Sequence, residues 1–272
     1  MHRIFQRYYL HSAVQAPSPT LIYNLCKRNI ILLLCFCLGL SSCSYYYSDT
    51  GYEANQLRVL ENTETDSAVL SIIEPYKSAL EGEMNLIVGE MGVELKRAKP
   101  ESTLGNFICD VILKEGQMYT GRQIDFAVYN YGGIRQEFIN AGPVTKGKIF
   151  ELLPFENFGA IVTLDGKSTE KMIQKIIDEG GWPLSGINIT VKNNIPQKIL
   201  INNIPFDTAR SYTVIMNDYM ATGGDNMNFL EGQQIDILGI TIRDMVLNYI
   251  TRENGEGRKI YSKIEGRFIY AE

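Results

Sequence analysis

Apolar residues recur along the chain at helical spacing in several places. The clearest helix follows a candidate N-cap, Ser102 or Thr103. Its apolar face repeats at i, i+3, i+4, i+7 and i+8 and consists of Leu104, Phe107, Ile108, Val111 and Ile112. The same spacing predicts helices over 66–80 and 167–179, and a capping box at 241–244 predicts the start of another.

Short apolar runs between polar or glycine-rich stretches predict strands. We expect strands, or extended chain, over 85–95, 124–129, 158–164, 187–191, 199–201, 212–216 and 264–270. Strands and helices mix without strict alternation. The pattern therefore favours an α+β fold, a single domain with a mixed sheet and packed helices, over a doubly wound parallel sheet.

The N-terminal segment has the pattern of a lipoprotein signal peptide. Lys27 and Arg28 precede the 11-residue apolar run Ile30–Leu40, which is too short to span a bilayer, since that requires about 20 residues. The run ends in Leu40-Ser41-Ser42-Cys43, which resembles the bacterial lipobox, where the cysteine is lipidated. A membrane anchor with an incidental cysteine is the alternative. We therefore predict an exported, membrane-tethered lipoprotein, with a signal peptide at 1–42, a polar tether at 43–65 and the domain at 66–272.

Removal of the signal peptide would restrict the chemistry of the mature chain. Besides the lipidated Cys43, only Cys109 of the five cysteines would remain, so no intrachain disulfide is expected. Both histidines, His2 and His11, would be removed. Without histidine, the chain lacks the usual imidazole ligands of metal centres and the base of a Ser-His or Cys-His pair. The net charge of −5 argues against a nucleic-acid polymer as partner.

Three stretches contain more glycine and polar residues than packing requires. One is 101–110, on the predicted helix. Another is 130–135, where paired glycines allow close backbone approach and the final arginine suits phosphate or carboxylate; it leads on to Pro-Phe-Glu-Asn at 154–157. The third, 217–225, ends in Asp225 behind paired glycines, an arrangement that can hold sugar hydroxyls. Taken singly, each also fits a plain turn, a surface ion pair or a core aromatic.

Together and in this order, these stretches resemble the C-terminal domain of the 5′-nucleotidase family. The motifs are S-x-L-G-N-x-I-x-D, N-x-G-G-I-R, P-F-x-N and A-x-G-G-D, and the resemblance runs from about Asn85 to Phe268. In that family the C-terminal domain binds the nucleotide, and a separate N-terminal metallophosphoesterase domain carries two metal ions. The resemblance implies a 5′-nucleotidase C-terminal-like fold and a nucleotide or nucleoside ligand.

The resemblance also implies a phosphate side of the binding pocket. Arg135 would match the arginine on the substrate's phosphate side, and Asn130 an asparagine of the same pocket. The family often carries a further arginine just before the S-x-L-G-N helix, where this chain has Pro100. Two alternatives stay open: weaker phosphate binding, or replacement of that arginine by Arg97 or Lys99.

The base and sugar side involves four further residues. Phe155 and Tyr219 would match the aromatic pair that sandwiches the nucleobase, and Asn157 a polar contact to the base. Asp225 would match the acid on the ribose hydroxyls. The chemistry agrees, because stacking on aromatic rings stabilises a bound base by about 1–3 kcal/mol and tolerates different bases.

The metallophosphoesterase motifs do not occur in this sequence. We therefore expect the nucleotide-binding half of a split 5′-nucleotidase, inactive alone and without a metal or cofactor of its own. Divalent metals are expected only in a partner metallophosphoesterase chain. The chain is expected to contact the membrane through its lipid anchor. The alternatives are a stand-alone nucleotide- or nucleoside-binding surface lipoprotein and a non-catalytic protein-interaction module. The joint presence of Arg135, Phe155, Tyr219 and Asp225 argues against the interaction module.

Overall fold

The computed structural model describes residues 66–271 and, nearer the N-terminus, residues 20, 23, 24, 27, 29 and 30, which are helical and exposed. The predicted apolar run beyond Ile30, Cys43 and the tether lie outside the described residues. In the described part, no helix is both long and apolar enough to cross a bilayer. The compact unit that contains the predicted site motifs spans residues 65–272.

A mixed sheet forms the centre of this unit. Its strands are β3 (Phe126–Val128), β6 (Phe158–Asp165), β7 (Leu184–Ser185), β11 (Ser211–Asn217) and β12 (Ile235–Thr241). They lie in the order β12–β6–β11–β3–β7. β3 and β11 are parallel, and the other neighbouring pairs are antiparallel. The predicted α+β fold with a mixed sheet is confirmed.

Helices cover both faces of this sheet. The α-helices of the unit are α1 (Ser67–Met84), α2 (Thr103–Thr120), α3 (Lys146–Leu152), α4 (Gly166–Asp178), α5 (Asp218–Ala221) and α6 (Ile242–Gly255). Side chains alternate along β6, so that Ile161 points into a core shared with α2 and α6, whereas Ala160 and Val162 point into a core shared with α4. The sheet is therefore a middle layer between two cores, with its edge strand β12 largely exposed.

The remaining strands form one four-stranded sheet and two ribbons. Their bounds are β1 (Ile87–Met91), β2 (Leu95–Lys96), β4 (Phe138–Ile139), β5 (Gly142–Thr145), β8 (Ile187–Lys192), β9 (Ile195–Ile201), β10 (Ile204–Pro205) and β13 (Phe268–Tyr270). The sheet has the order β10–β9–β8–β13, and the ribbons pair β1 with β5 and β2 with β4. Asn193 and Asn194 join β8 to β9 with φ of 53° and 58°, as a type I′ hairpin turn requires.

The helix starts follow the predicted caps. The Ser102 hydroxyl accepts a hydrogen bond from the Gly105 amide at 3.0 Å, and the Thr241 hydroxyl accepts one from the Asp244 amide at 3.0 Å. α1 runs to Met84, four residues beyond the predicted end, and none of its residues is buried.

The predicted closing strand over 264–270 is shorter than expected, because side chains hold the first part of this segment. The Glu101 carboxylate accepts hydrogen bonds from the amides of Glu265 and Arg267, each at 2.9 Å. The guanidinium of Arg267 forms a bidentate pair with Asp110 at 2.8 and 2.9 Å. We call Glu101, Asn106, Asp110, Glu265 and Arg267 the C-terminal latch. Only Phe268–Tyr270 then pairs as a strand.

Candidate functional site

Three loops meet at one edge of the central sheet. Because β3 and β11 are parallel neighbours, the loops that follow them, 130–135 and 217–225, emerge side by side. β6 is antiparallel to β11, with Gly159 opposite Asn217, so the loop that precedes β6, 153–157, reaches the same edge. The topology therefore brings together three motifs that are far apart in sequence.

These loops surround a cleft of about 250 Å³. It is lined by Asn130, Gly132, Gly133, Phe155, Asn157, Tyr219 and Asp225, which include five of the six residues predicted to bind substrate. The two aromatic side chains remain largely open to solvent, with Phe155 46% and Tyr219 48% exposed. Half-exposed rings beside convergent polar groups are typical of a small-molecule binding site.

A chain of hydrogen bonds fixes the polar side of the cleft. The buried side chain of Asn217 donates to Oδ1 of Asn130 at 3.0 Å, and Nδ2 of Asn130 donates to Oδ2 of Asp225 at 2.5 Å. The Tyr219 hydroxyl donates to the other carboxylate oxygen, Oδ1, at 3.3 Å. Asn217 was not predicted as a site residue. The sequence feature that could have identified it is an asparagine at the end of a strand, directly before a short helix. Its Oδ1 caps that helix by accepting a hydrogen bond from the Met220 amide at 2.7 Å.

The paired glycines make room mainly for aromatic rings. A Cβ on Gly224 would lie 2.6 Å from Cε1 of Tyr219, and one on Gly133 would lie 2.5 Å from the hydroxyl of Tyr129. Gly132 lines the cleft itself. Both glycines of the first pair line the cleft, where close approach of a ligand was expected. Gly133 also makes room for the ring of Tyr129. Asp225 sits in the left-handed region, with φ of 54°, which turns its carboxylate toward Asn130.

Arg135, the sixth predicted residue, lies at the rim instead of in the lining. Its side chain is exposed, and its guanidinium carbon is 5.7 Å from the centroid of the Phe155 ring. Its amide donates to the carbonyl of Leu152 at 2.9 Å, which ties the glycine turn to the loop that carries Phe155. The arginine thus lies beside one wall of the cleft.

A second, cationic cleft of about 460 Å³ adjoins the first and shares Gly132 with it. It is lined by Arg97, Ala98, Lys99, Tyr131 and Gly132. The ammonium of Lys99 is 5.7 Å from the centroid of the Tyr131 ring, and burial raises the pKa of that phenol. Both cations left open as substitutes for the missing arginine therefore lie next to the aromatic cleft. Tyr131, within the glycine motif, was missed as a lining residue.

The described residues do not fit a two-metal centre. Among them, no group of three or more His, Cys, Asp or Glu side chains could hold a metal ion. His2 and His11 lie outside the part of the chain that the structure describes. No step of a metal-dependent reaction is therefore assigned to these residues.

Comparison with known proteins agrees with the motifs. A family profile described as "5′-nucleotidase, C-terminal domain" matches residues 85–232, more than half of the chain. The protein belongs to the 5′-nucleotidase C-terminal domain family, as the motif resemblance predicted.

Curated relatives and solved structures extend the likeness beyond the profile. The trifunctional nucleotide phosphoesterase YfkN of Bacillus subtilis is 27% identical over 233 residues, which covers 78% of this chain and 16% of that protein. The apyrase of Aedes aegypti is 23% identical over 268 residues, covering 88% and 47%. The solved 5′-nucleotidase precursor of Thermus thermophilus superposes with a TM-score of 0.63 at 24% identity, covering 75% of this chain and 42% of that one. This chain spans less than half the length of each.

Proposed function

We propose that this domain binds a nucleotide or nucleoside in the aromatic cleft and presents its phosphate to a metallophosphoesterase on a second polypeptide. The observation that carries the proposal is the convergence of Asn130, Phe155, Asn157, Tyr219 and Asp225 on one cleft. Membership of the 5′-nucleotidase C-terminal domain family supports it. The names of relatives such as YfkN support phosphate esters of nucleotides as the substrate class.

The hydrogen bonds around Asp225 suit a ribose. A carboxylate can accept about four hydrogen bonds, and in this network one oxygen accepts from Asn130 and the other from Tyr219. Each oxygen therefore keeps acceptor capacity for a further donor. The 2′- and 3′-hydroxyls of a ribose are two neighbouring donors that match this geometry. Phe155 and Tyr219 would then hold the base, with the Asn157 side chain at its polar edge.

The phosphate would lie on the cationic side of the cleft. Arg135 stands at the rim against Phe155, and the cleft with Arg97 and Lys99 begins at the shared Gly132. The Arg97 guanidinium already donates to the carbonyl of Ile134 at 2.7 Å, which holds it near the glycine turn. Arg97, Lys99 and Arg135 lie around the glycine turn at 130–135, and their positive charges favour binding of an anionic group over a neutral one.

Mixing of the two chains tests the proposal. AMP and Mn²⁺ are incubated in three reactions: with this chain, with a secreted metallophosphoesterase that lacks a 5′-nucleotidase C-terminal domain, and with both proteins together. The phosphate released in each reaction is measured. We expect release only from the mixture, reduced strongly by Arg135→Ala and unchanged by Arg122→Ala, which alters a surface arginine paired with Asp236. Metal-dependent turnover by this chain alone would overturn the two-chain proposal. Nucleotide binding with no gain on mixing would favour the stand-alone binding lipoprotein.

We also propose that the chain is exported and tethered by lipid at Cys43. One relative, 24% identical over 232 residues, is the cell wall protein Lmo0130 of Listeria monocytogenes, which supports an extracytoplasmic location. Cell fractionation tests the tether. Cys43→Ser should move the protein from the membrane to the soluble fraction, and full membrane retention of this variant would point to the apolar run as the anchor.

A further inference from the structure

The loop that carries Phe155 and Asn157 is held from the N-terminal turn of α6. Nη1 of Arg243 lies 3.3 Å from the carbonyl oxygens of both Leu153 and Pro154 and donates to them. One residue earlier on the helix, the Ile242 amide donates to the carbonyl of Asn157 at 2.9 Å. The backbone on both sides of the Phe155 ring is therefore fixed by two consecutive residues of one helix.

Arg243 occupies an unfavourable place for a cation. It is 8% exposed and lies in the first turn of α6, where the helix dipole disfavours positive charge. The nearest carboxylate, Glu156, is 3.8 Å away and 83% exposed, so it compensates little. The Nε atom is buried and has no hydrogen-bond partner among the described residues. Ion pairing with a buried carboxylate therefore does not explain the position of this guanidinium.

The contacts that Arg243 does make all lead to the loop. Its guanidinium carbon is 4.1 Å from the centroid of the Phe150 ring, on the helix that runs into the loop. On the other side of the loop, the Leu152 carbonyl accepts from the Arg135 amide. The turn is thus clamped between α6 and the glycine motif, and the guanidinium supplies two of the bonds.

We propose that Arg243 is a positioning residue for ligand binding, which fixes the backbone at 153–154 so that Phe155 and Asn157 face the cleft. The inference rests on the proposed function, in which this cleft takes the base and sugar. It explains why a buried, weakly compensated cation stands in the first turn of a helix. Arg243 itself does not line the cleft and is not expected to contact the ligand.

Measurements of ligand affinity and of thermal stability distinguish a positioning role for Arg243 from a purely structural role. Adenosine is the probe, since it has the base and the ribose but no phosphate to engage Arg135. For Arg243→Met we expect adenosine affinity to fall about tenfold, which corresponds to about 1.4 kcal/mol. The midpoint of thermal unfolding should fall less than in Arg252→Met, because removal of a poorly compensated buried charge partly offsets the loss of the hydrogen bonds to Leu153 and Pro154. Arg243→Lys keeps the charge but not the planar fork, so its affinity should lie between those of the wild type and Arg243→Met.

Arg252, on the same helix, is the matched control. It pairs with Glu115, whose side chain is 10% exposed, and its Nη1 donates to that carboxylate at 3.2 Å. Arg252→Met leaves this buried carboxylate without its partner, so the unfolding midpoint should fall. Adenosine affinity should not change. The two variants of one helix thus have opposite expected signatures.

An unfolding midpoint that falls in Arg243→Met as far as in Arg252→Met would overturn the inference, as would unchanged affinity. If the wild type binds no adenosine, the proposed function fails, and hydrogen exchange in the ligand-free protein still tests the clamp. The amides of Leu153 and Ile242 are hydrogen-bonded to the carbonyls of Ile149 and Asn157. Both should exchange faster in Arg243→Met than in the wild type, and equal rates would refute the clamp.

Discussion

The aromatic cleft and the C-terminal latch are both built around an aspartate from a sequence motif, yet their hydrogen bonding differs. In the latch, Oδ1 of Asp110 accepts from Ser185 at 2.6 Å and from Arg267 at 2.8 Å, and Oδ2 accepts from Arg267 at 2.9 Å. In the cleft, Asp225 takes one bond on each oxygen, and both donors, Asn130 and Tyr219, are neutral.

This difference separates a carboxylate that pairs with a charged side chain from one that only neutral side chains contact. Asp110 neutralises a buried guanidinium and accepts three hydrogen bonds, although it also lines a cleft of about 390 Å³. Asp225 accepts two hydrogen bonds, both from neutral side chains that line the aromatic cleft with it. Polar residues in a motif therefore do not by themselves mark a binding site. The partners of the two carboxylates differ, because a charged guanidinium contacts Asp110 and only neutral side chains donate to Asp225.

The largest expected effect is on the cleft. The double variant Phe155→Ala, Tyr219→Ala should lose about 3 kcal/mol of adenosine binding free energy, because both faces of the base lose their stacking partner. Its stability should change little, since both rings are about half exposed. Isothermal titration and thermal unfolding measure the two quantities. Tyr119→Ala, which removes another exposed ring, should change neither, and a double variant that binds normally would contradict the assignment of the cleft.

The next largest effect is on the latch. Asp110→Ala removes the bidentate partner of Arg267, whose side chain is 10% exposed, and should lower the free energy of unfolding by about 2 kcal/mol. Adenosine affinity should be unchanged. Denaturant unfolding measures the loss, with Asp236→Ala as the control, because its pair with Arg122 is half exposed and should contribute less than about 1 kcal/mol. Equal losses in the two variants would mean that the latch is no stronger than a surface ion pair.

Sequence patterns predicted most of the longer helices and strands and five residues of the cleft lining, but not β12, α3 or the latch. Local periodicity identifies which face of a helix is buried, as it did for Leu104 and Ile108. It does not tell which distant group a polar side chain on that helix will meet. The Asn106 side chain donates to the carbonyl of Lys263, 157 positions away, at 2.9 Å, and no short-range pattern contains that pairing.

The same limit explains what was missed in the cleft. The motif order indicated Phe155, Tyr219 and Asp225, because glycine turns after strands leave a recognisable local pattern. Asn217 and Tyr131 lie within the same motif stretches, but their roles depend on contacts with Asn130 and with Lys99 that only the folded sheet creates. The contacts of Arg243 are of the same kind, because they tie the loop at 153–157 to a helix residue about 90 positions later in the sequence.

A smaller effect is expected from a variant that tests whether Asp225 contacts the ribose. Asp225→Asn keeps the size of the side chain but replaces one acceptor oxygen with a donor group, so adenosine affinity should fall about tenfold, or about 1.4 kcal/mol. 2′,3′-Dideoxyadenosine lacks both hydroxyls and should bind the wild type and the variant equally. A similar loss for both ligands would show that Asp225 acts by holding Tyr219 and Asn130, without a direct contact to the sugar.

The smallest expected effect is a pH dependence confined to the latch. The hydrogen bond from Arg267 lowers the pKa of Glu265 below its ordinary value. A carboxyl whose pKa is lower in the folded than in the unfolded state contributes stability that is fully present above the unfolded pKa, about 4.3. That contribution is lost as pH falls through the lower, folded pKa. The difference in unfolding free energy between the wild type and Glu265→Gln should therefore be constant from neutral pH to about 5 and shrink below about 4. Denaturant unfolding across this range measures it, and a difference that grows on acidification would refute the pairing.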